Sequence, residues 1–228
     1  MALDLVTTKT EDGVELDGAL YLPSRSLHPA GPEILMVHGL TWSFYRGPSR
    51  WLPPLLAQAG YPCLSMNMRD HDLQEPKDFD LAHHDLRAGI DYLSGRGATE
   101  VILLSHGFAC NKVVCYAGWT GDHRVRRVVL TTLGAVKAYR PDIWDTVLRL
   151  APSMKGAALV VQGAIDQLIQ ARERADELIA AAAGARVDVV LLEGGNHYFD
   201  HRHQELADCI LRWLGGPQEP GRTEGRMR

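Results

Sequence analysis

Along the chain, short apolar runs alternate with stretches whose apolar residues recur at helical spacing. Val14–Leu22 sets Val14, Leu16, Leu20 and Leu22 in an alternating pattern and stops at Pro23, which predicts an early antiparallel strand. Glu33–His38 (EILMVH) is continuously apolar and ends at Gly39, as a parallel strand buried on both faces does. Ser49–Ala59 has helical character and Gly60 closes it. Its Pro53–Pro54 pair lacks backbone donors, so the helix is expected to start near those prolines. Further strands are predicted at Pro62–Met68, Glu100–Leu104, Val125–Thr131, Ala157–Gln162 and Val187–Leu192. Helices are predicted at Phe79–Leu93, Phe108–Ala117, Asp142–Leu150, Gln167–Ala183 and Phe199–Leu214. Strands alternating with helices of this length mean an α/β fold, a mostly parallel central sheet with helices on both faces. The stretch between Thr131 and Ala157 is too short for a separate lid domain.

Composition narrows the function more than the fold. At 228 residues, 46% of them apolar and 23% charged, the chain fits one domain with a substantial core, expected over 1–215. The last residues, GPQEPGRTEGRMR, are rich in Gly, Pro and charge, so 216–228 is expected to be a disordered tail. A net charge of −4, with no run of Lys or Arg, argues against a nucleic-acid partner. The opening MALDLVTTKTEDGVELDG lacks a basic segment followed by an apolar one, and no apolar run approaches the roughly 18 residues of a membrane span. The expectation is a cytoplasmic protein that acts on a small molecule; oligomeric state is not readable. Cys63, Cys110, Cys115 and Cys209 lie within apolar segments and read as buried thiols.

In an open parallel sheet, ligands bind beyond the carboxyl ends of the strands. Four loops leave such ends with chemically suggestive residues. His38-Gly39-Leu40-Thr41 follows the first buried strand, and Ser105-His106-Gly107-Phe108-Ala109 follows Val101–Leu104. Asp166 follows Ala157–Gln162 in QGAID, and His197 follows Val187–Leu192 in EGGNH. In this order, and on the segments VHGL, GAIDQLI and EGGNHYF, the chain resembles the α/β-hydrolase superfamily from about Gly18 to Leu214. The resemblance implies an oxyanion hole from the backbone N–H groups of Leu40 and Phe108, and a candidate catalytic pair of His197 and Asp166.

The turn between strand and helix departs from the family's G-x-S-x-G. Aligning VILLSHGFACNKVV puts Ser105 at the first glycine, His106 at the variable position and Gly107 where the nucleophile stands. Moving the motif so that Ser105 attacks fails, because Leu103 would have to be glycine. Glycine suits the strained backbone of that position and supplies no attacking group. Ser105 is expected to point into the sheet or the following helix. Ser105 and Ala109 also depart from the motif, so the glycine reads as native.

Three functions fit. One is a non-hydrolytic enzyme, a lyase, isomerase, dehydratase or cyclase, in which His197 moves a proton while the Leu40 and Phe108 amides stabilise an enolate or alkoxide. Another is an ester, thioester or lactone hydrolase in which His197 activates water. The third is a catalytically inactive ligand- or partner-binding protein. His38, Thr41, Trp42, Tyr45 and His106 are candidates for the pocket lining, although the family's histidine at the His106 position is structural. His71, His83, His84, His201 and His203 lack metal-ligand spacing, so no metal is implied. Neither Gly95-Arg96-Gly97 nor Gly194-Gly195 completes a dinucleotide fingerprint, and no cofactor is implied.

Overall fold

The first strand is one that the apolar pattern does not mark. In the computed structural model, which describes residues 1–25, 31–73, 78–133, 140–166 and 171–216, β1 (Ala2–Lys9) pairs antiparallel with β2 (Glu15–Leu22). Leu3 and Leu5 of β1 are exposed, and on its other face only Val6 packs against the core, partly buried, so the alternation marks no continuous apolar face. Pairing to β2 along its whole length, Leu5 opposite Ala19, is what places it at the sheet edge.

β2 is antiparallel to β4 (Cys63–Met66), and the rest of the sheet is parallel. It contains β3 (Pro32–Val37), β5 (Glu100–His106), β6 (Arg127–Thr131), β7 (Ala157–Gly163) and β8 (Arg186–Leu192), in the order β1-β2-β4-β3-β5-β6-β7-β8. On one face lie α1 (Pro48–Gln58) and α6 (His203–Gly215). On the other lie α2 (Ala82–Gly95), α3 (Ala109–Thr120), α4 (Pro141–Leu150) and α5 (Ala171–Ala181). The central strands feed both cores. Ile34, Met36, Ile102 and Leu104 join the α1/α6 side, while Leu35, Val37, Val101 and Leu103 join the other. Burial on both faces is why these strands read as unbroken apolar runs.

Two predicted helix starts are corrected. α1 begins at Pro48 and continues through Pro53 and Pro54. Pro53 cannot donate to the Ser49 carbonyl one turn earlier, and the Ser65 hydroxyl of β4 lies 3.2 Å from that oxygen instead. That hydroxyl has one proton and lies closer, at 2.6 Å, to the Phe44 carbonyl, so the two carbonyls share one donor. α6 begins at His203 and not at Phe199, because Phe199 and His201 take φ values of 55° and 60°. Those left-handed residues turn the chain before the helix can start. Part of the helix predicted from Gln167, and the tail from residue 217 onward, lie outside the described residues.

Between β6 and β7 the described residues hold α4 and a 3₁₀ turn, Ala151–Ser153, and no large lid domain. Among the described residues no helix is long and apolar enough to cross a membrane. The strand order also fixes where a ligand can enter. From β3 the chain moves outward to β4, then returns to the other side of β3 as β5. At that reversal the loops after β3 and β5 leave in different directions and open a crevice.

Candidate active site

The turn after β5 is tight. Gly107 and Phe108 alone join β5 to α3, and Gly107 takes φ 58° while its N–H donates to the Thr131 carbonyl at 2.9 Å. A residue with a side chain would be strained there by roughly 1–2 kcal/mol, whereas glycine is not. A Cβ placed on Gly107 would lie 3.8 Å from His197 Nε2 and 3.9 Å from Gly39 Cα, with no nearer atom. A side chain there would therefore project beside the imidazole without a clash at its Cβ.

His197 is held by two loops packed unusually close. The Ile165 N–H donates to the Gly195 carbonyl and the Ala164 N–H to the Leu192 carbonyl, each at 3.0 Å. At Gly163 a Cβ would stand 2.3 Å from the Gly195 oxygen and 2.6 Å from that of Asn196, so only glycine permits this approach. The result is His197 Nδ1 at 2.9 Å from Asp166 Oδ2. The Asp166 side chain has no exposure and that of His197 has 18%, so the carboxylate is sealed beneath a reachable ring. Asp166 accepts, so Nδ1 carries the proton and Nε2 presents a lone pair on the Gly107 side. The Asn196 side-chain oxygen accepts from the Tyr198 and Asp200 N–H groups at 3.1 and 3.0 Å and closes the turn beneath the ring.

The loops after β3 and β5 hold the two amides expected of an oxyanion hole. Among the described residues, neither the Leu40 nor the Phe108 N–H donates a hydrogen bond. Thr41, just after Leu40, takes φ 64°, a strained conformation for a β-branched side chain. The loop is pinned past that point by the Asp72 N–H on the Trp42 carbonyl at 3.0 Å and by the Phe44 N–H on Asn67 Oδ1 at 2.9 Å.

Of the residues expected to line the pocket, Trp42 stacks on His106 with ring centroids 5.3 Å apart and meets Tyr198 at 5.1 Å. Tyr45 instead points outward, 56% exposed, with its ring edge against Phe44. His38 is corrected from lining to scaffold. It is buried, its Nδ1 bonds the Gly39 carbonyl at 2.8 Å, and its Nε2 accepts the Met68 N–H at 2.9 Å. Burial pulls its imidazole down to about 4, only partly opposed by the bond to Gly39.

His106 is buried with its ring edge toward His197 at 5.3 Å. The Thr131 hydroxyl donates to the Ser105 carbonyl and the Thr132 hydroxyl to the Thr131 carbonyl. Each spends its one proton there, so both can only accept from His106 Nδ1, each at 3.1 Å. His106 is thereby fixed as the Nδ1–H tautomer. Burial, then the neighbouring His197, hold it well below the usual histidine range, so the ring is neutral.

Ser105 is fully buried and points away from the crevice, toward Cys110 Sγ at 3.5 Å and the Val129 carbonyl at 3.4 Å. All four cysteines are free thiols, and burial pushes Cys110 up to about 12. Sequence reasoning missed Tyr198, Thr131 and Thr132. Tyr198 had a visible signal, since it follows His197 directly, whereas the threonines are marked by nothing but their place at the end of β6. Among the described residues no group of three or more His, Cys, Asp or Glu side chains could hold a metal ion.

No protein-family model and no curated protein sequence matches the chain. Solved structures do. Est1E from Butyrivibrio proteoclasticus is 14% identical with a TM-score of 0.75, over 92% of this chain and 97% of that one. Dienelactone hydrolase from Anabaena variabilis is 19% identical at 0.75, over 93% and 96%. The alpha/beta hydrolase GrgF from Penicillium sp. is 14% identical at 0.73, over 94% and 97%. At these identities the likeness establishes the α/β-hydrolase fold.

Proposed function

We propose that the protein is an enzyme that moves a proton on a small carbonyl compound without forming an acyl-enzyme. The observation that carries this reading is the 3.8 Å between His197 Nε2 and the open Cβ position of Gly107, with Asp166 bonded to the far side of the ring. In the proposed reaction a substrate sits with its carbonyl oxygen on the Leu40 and Phe108 amides and its α-carbon over Gly107. His197 Nε2 takes the α-proton, and the electrons of the broken C–H bond move to the oxygen as an enolate. The enolate then collapses in one of two ways. Either, where a β,γ-double bond extends the enolate to a dienolate, the imidazolium returns the proton to the γ-carbon, giving the conjugated isomer, or it protonates a departing β-hydroxyl as the enolate electrons form the Cα–Cβ double bond, giving an unsaturated product and water. Asp166 acts as a positioning residue that keeps the proton on Nδ1 and stabilises the imidazolium.

The absence of a Cβ is useful in this scheme, because it leaves room for a substrate carbon where a serine would stand. The test compares wild type, Gly107→Ser and His197→Ala in two assays. One is deuterium uptake from D₂O into a panel of small ketones and β-hydroxy carbonyl compounds, and the other is hydrolysis of an activated ester. Exchange by wild type that His197→Ala loses, together with esterase activity only in Gly107→Ser, is the expected result. Ester turnover by wild type that depends on His197 would replace this reading with a hydrolase that activates water over Gly107. Silence of every variant in both assays would leave a binding protein.

A further inference from the structure

The two ends of the sheet are finished differently. At one end β8 carries a buttressed charge: the Asp188 carboxylate accepts from Arg186 Nε at 3.0 Å and from the Trp213 indole of α6 at 2.8 Å. Leu191, its most exposed residue, is only 37% exposed. At the other end β1 runs for eight residues in unbroken register, from Ala2 opposite Leu22 to Lys9 opposite Glu15. It has no Pro, no Gly and no bulge, the devices that keep an edge strand from pairing, and Asp4 and Lys9 are its only charges. Among the described residues no strand pairs with its outer edge, along which alternate residues direct their N–H and C=O groups outward. Leu3 and Leu5 stand on one face of that edge, 53% and 78% exposed, and belong to neither core. Outward-facing backbone beside an apolar stripe fits one kind of occupant, a strand with apolar residues on the same face. β1 is itself such a strand.

We propose that β1 is the contact of a homodimer, in which two copies pair antiparallel about Leu5 and join their eight-stranded sheets edge to edge. A two-fold axis normal to the sheet keeps odd positions on one face in both copies, so the axis must pass through a residue pair of like parity. Centring it on Asp4 would set two carboxylates directly opposite each other, which is destabilising. Centring it on Val6 would place Leu3 opposite Lys9 and Leu5 opposite Thr7, apolar against polar. Centring it on Leu5 sets the most exposed leucine against its own copy, with a Leu3 diagonal to it on either side. The other pairs are then Leu3 with Thr7, Asp4 with Val6 and Ala2 with Thr8, and no like charges are directly opposed. The dimer does not depend on the reaction proposed above.

The test is sedimentation velocity of the full chain over a concentration series, which should show a reversible dimer. Leu5→Lys changes an exposed side chain in the monomer but sets two ammonium groups face to face in the dimer. It should weaken self-association at least about 10-fold. Ile179→Lys, an exposed apolar residue of α5 changed in the same way, should leave it unaltered. Thermal melts establish that each variant is folded. Register is read by mild oxidation. Leu5→Cys should form an interchain disulfide, since directly opposite Cβ atoms lie about 4.5–5.5 Å apart. Asp4→Cys, roughly 7–8 Å from its own copy on the diagonal, should not, and neither should wild type. A single-chain mass at every concentration, or a dimer equally tight in Leu5→Lys, would overturn the proposal. A disulfide at Asp4→Cys and none at Leu5→Cys would overturn the register.

Discussion

The two halves of the crevice are built on opposite plans. On the β7–β8 side the side chains are kept and locked: Gly163 lets two loops touch, and their contact sets Asp166 against His197 at 2.9 Å. On the β5 side the turn is made by backbone alone, with Gly107 at φ 58° and a Cβ position 3.8 Å from His197 Nε2. One half depends on functional groups that must be oriented, the other on a conformation that must be held.

Breaking the first half should produce the largest effect. Asp166→Asn, which leaves the ring in place but no longer fixes its tautomer, should lower the deuterium-exchange rate by about 10²–10⁴ with little change in melting temperature. An unaltered rate would mean that the carboxylate only packs. A second test concerns the scaffold common to both halves. Unfolded, His38 titrates near 6.5, and folded near 4, because burial disfavours its charge. Between those values the unfolded chain binds a proton that the folded chain does not. The stabilisation is present above 6.5 and is lost as pH falls toward 4, by up to ~3 kcal/mol. His106 shifts in the same direction. Thermal melts across this window should show the fall, and His38→Gln should make it shallower.

Gly163→Ala sharpens the contrast between close approach and conformation. Its Cβ would collide with two carbonyl oxygens, so a loss of about 1–3 kcal/mol in denaturant melts should accompany loss of exchange activity. Gly107→Ser, by contrast, meets no such clash and should cost only about 1–2 kcal/mol from its backbone angle. Equal costs at the two glycines would erase the distinction. The smallest effect is expected at Ser105→Ala. Its hydroxyl makes only long contacts, at 3.4 and 3.5 Å, so stability should change by less than about 1 kcal/mol and exchange not at all. A large loss of exchange would restore Ser105 as a participant.

Much of this was legible in order along the chain. Apolar runs marked β3, β5, β6 and β7 because each is buried on both faces, and the four loops that follow strand ends were visible as HG, SHGFA, AID and GGNH. Gly107 at the elbow was suggested only through the resemblance to a known family. β1 could not, because an exposed edge strand is held by backbone pairing, which no side-chain pattern records. Nor could the start of α1, since the helix runs through Pro53 and Pro54 with its first turn packed beside Ser65 of β4. His38 and His106 looked alike in sequence. Only packing separated a scaffold imidazole bonded at both nitrogens from a neutral ring set edge-on to His197. Sequence determined which residues end the strands, through local burial and turn chemistry. Tertiary structure decided which of them face one another, because distances of a few ångströms between loops far apart in the chain arise only when the whole sheet is assembled.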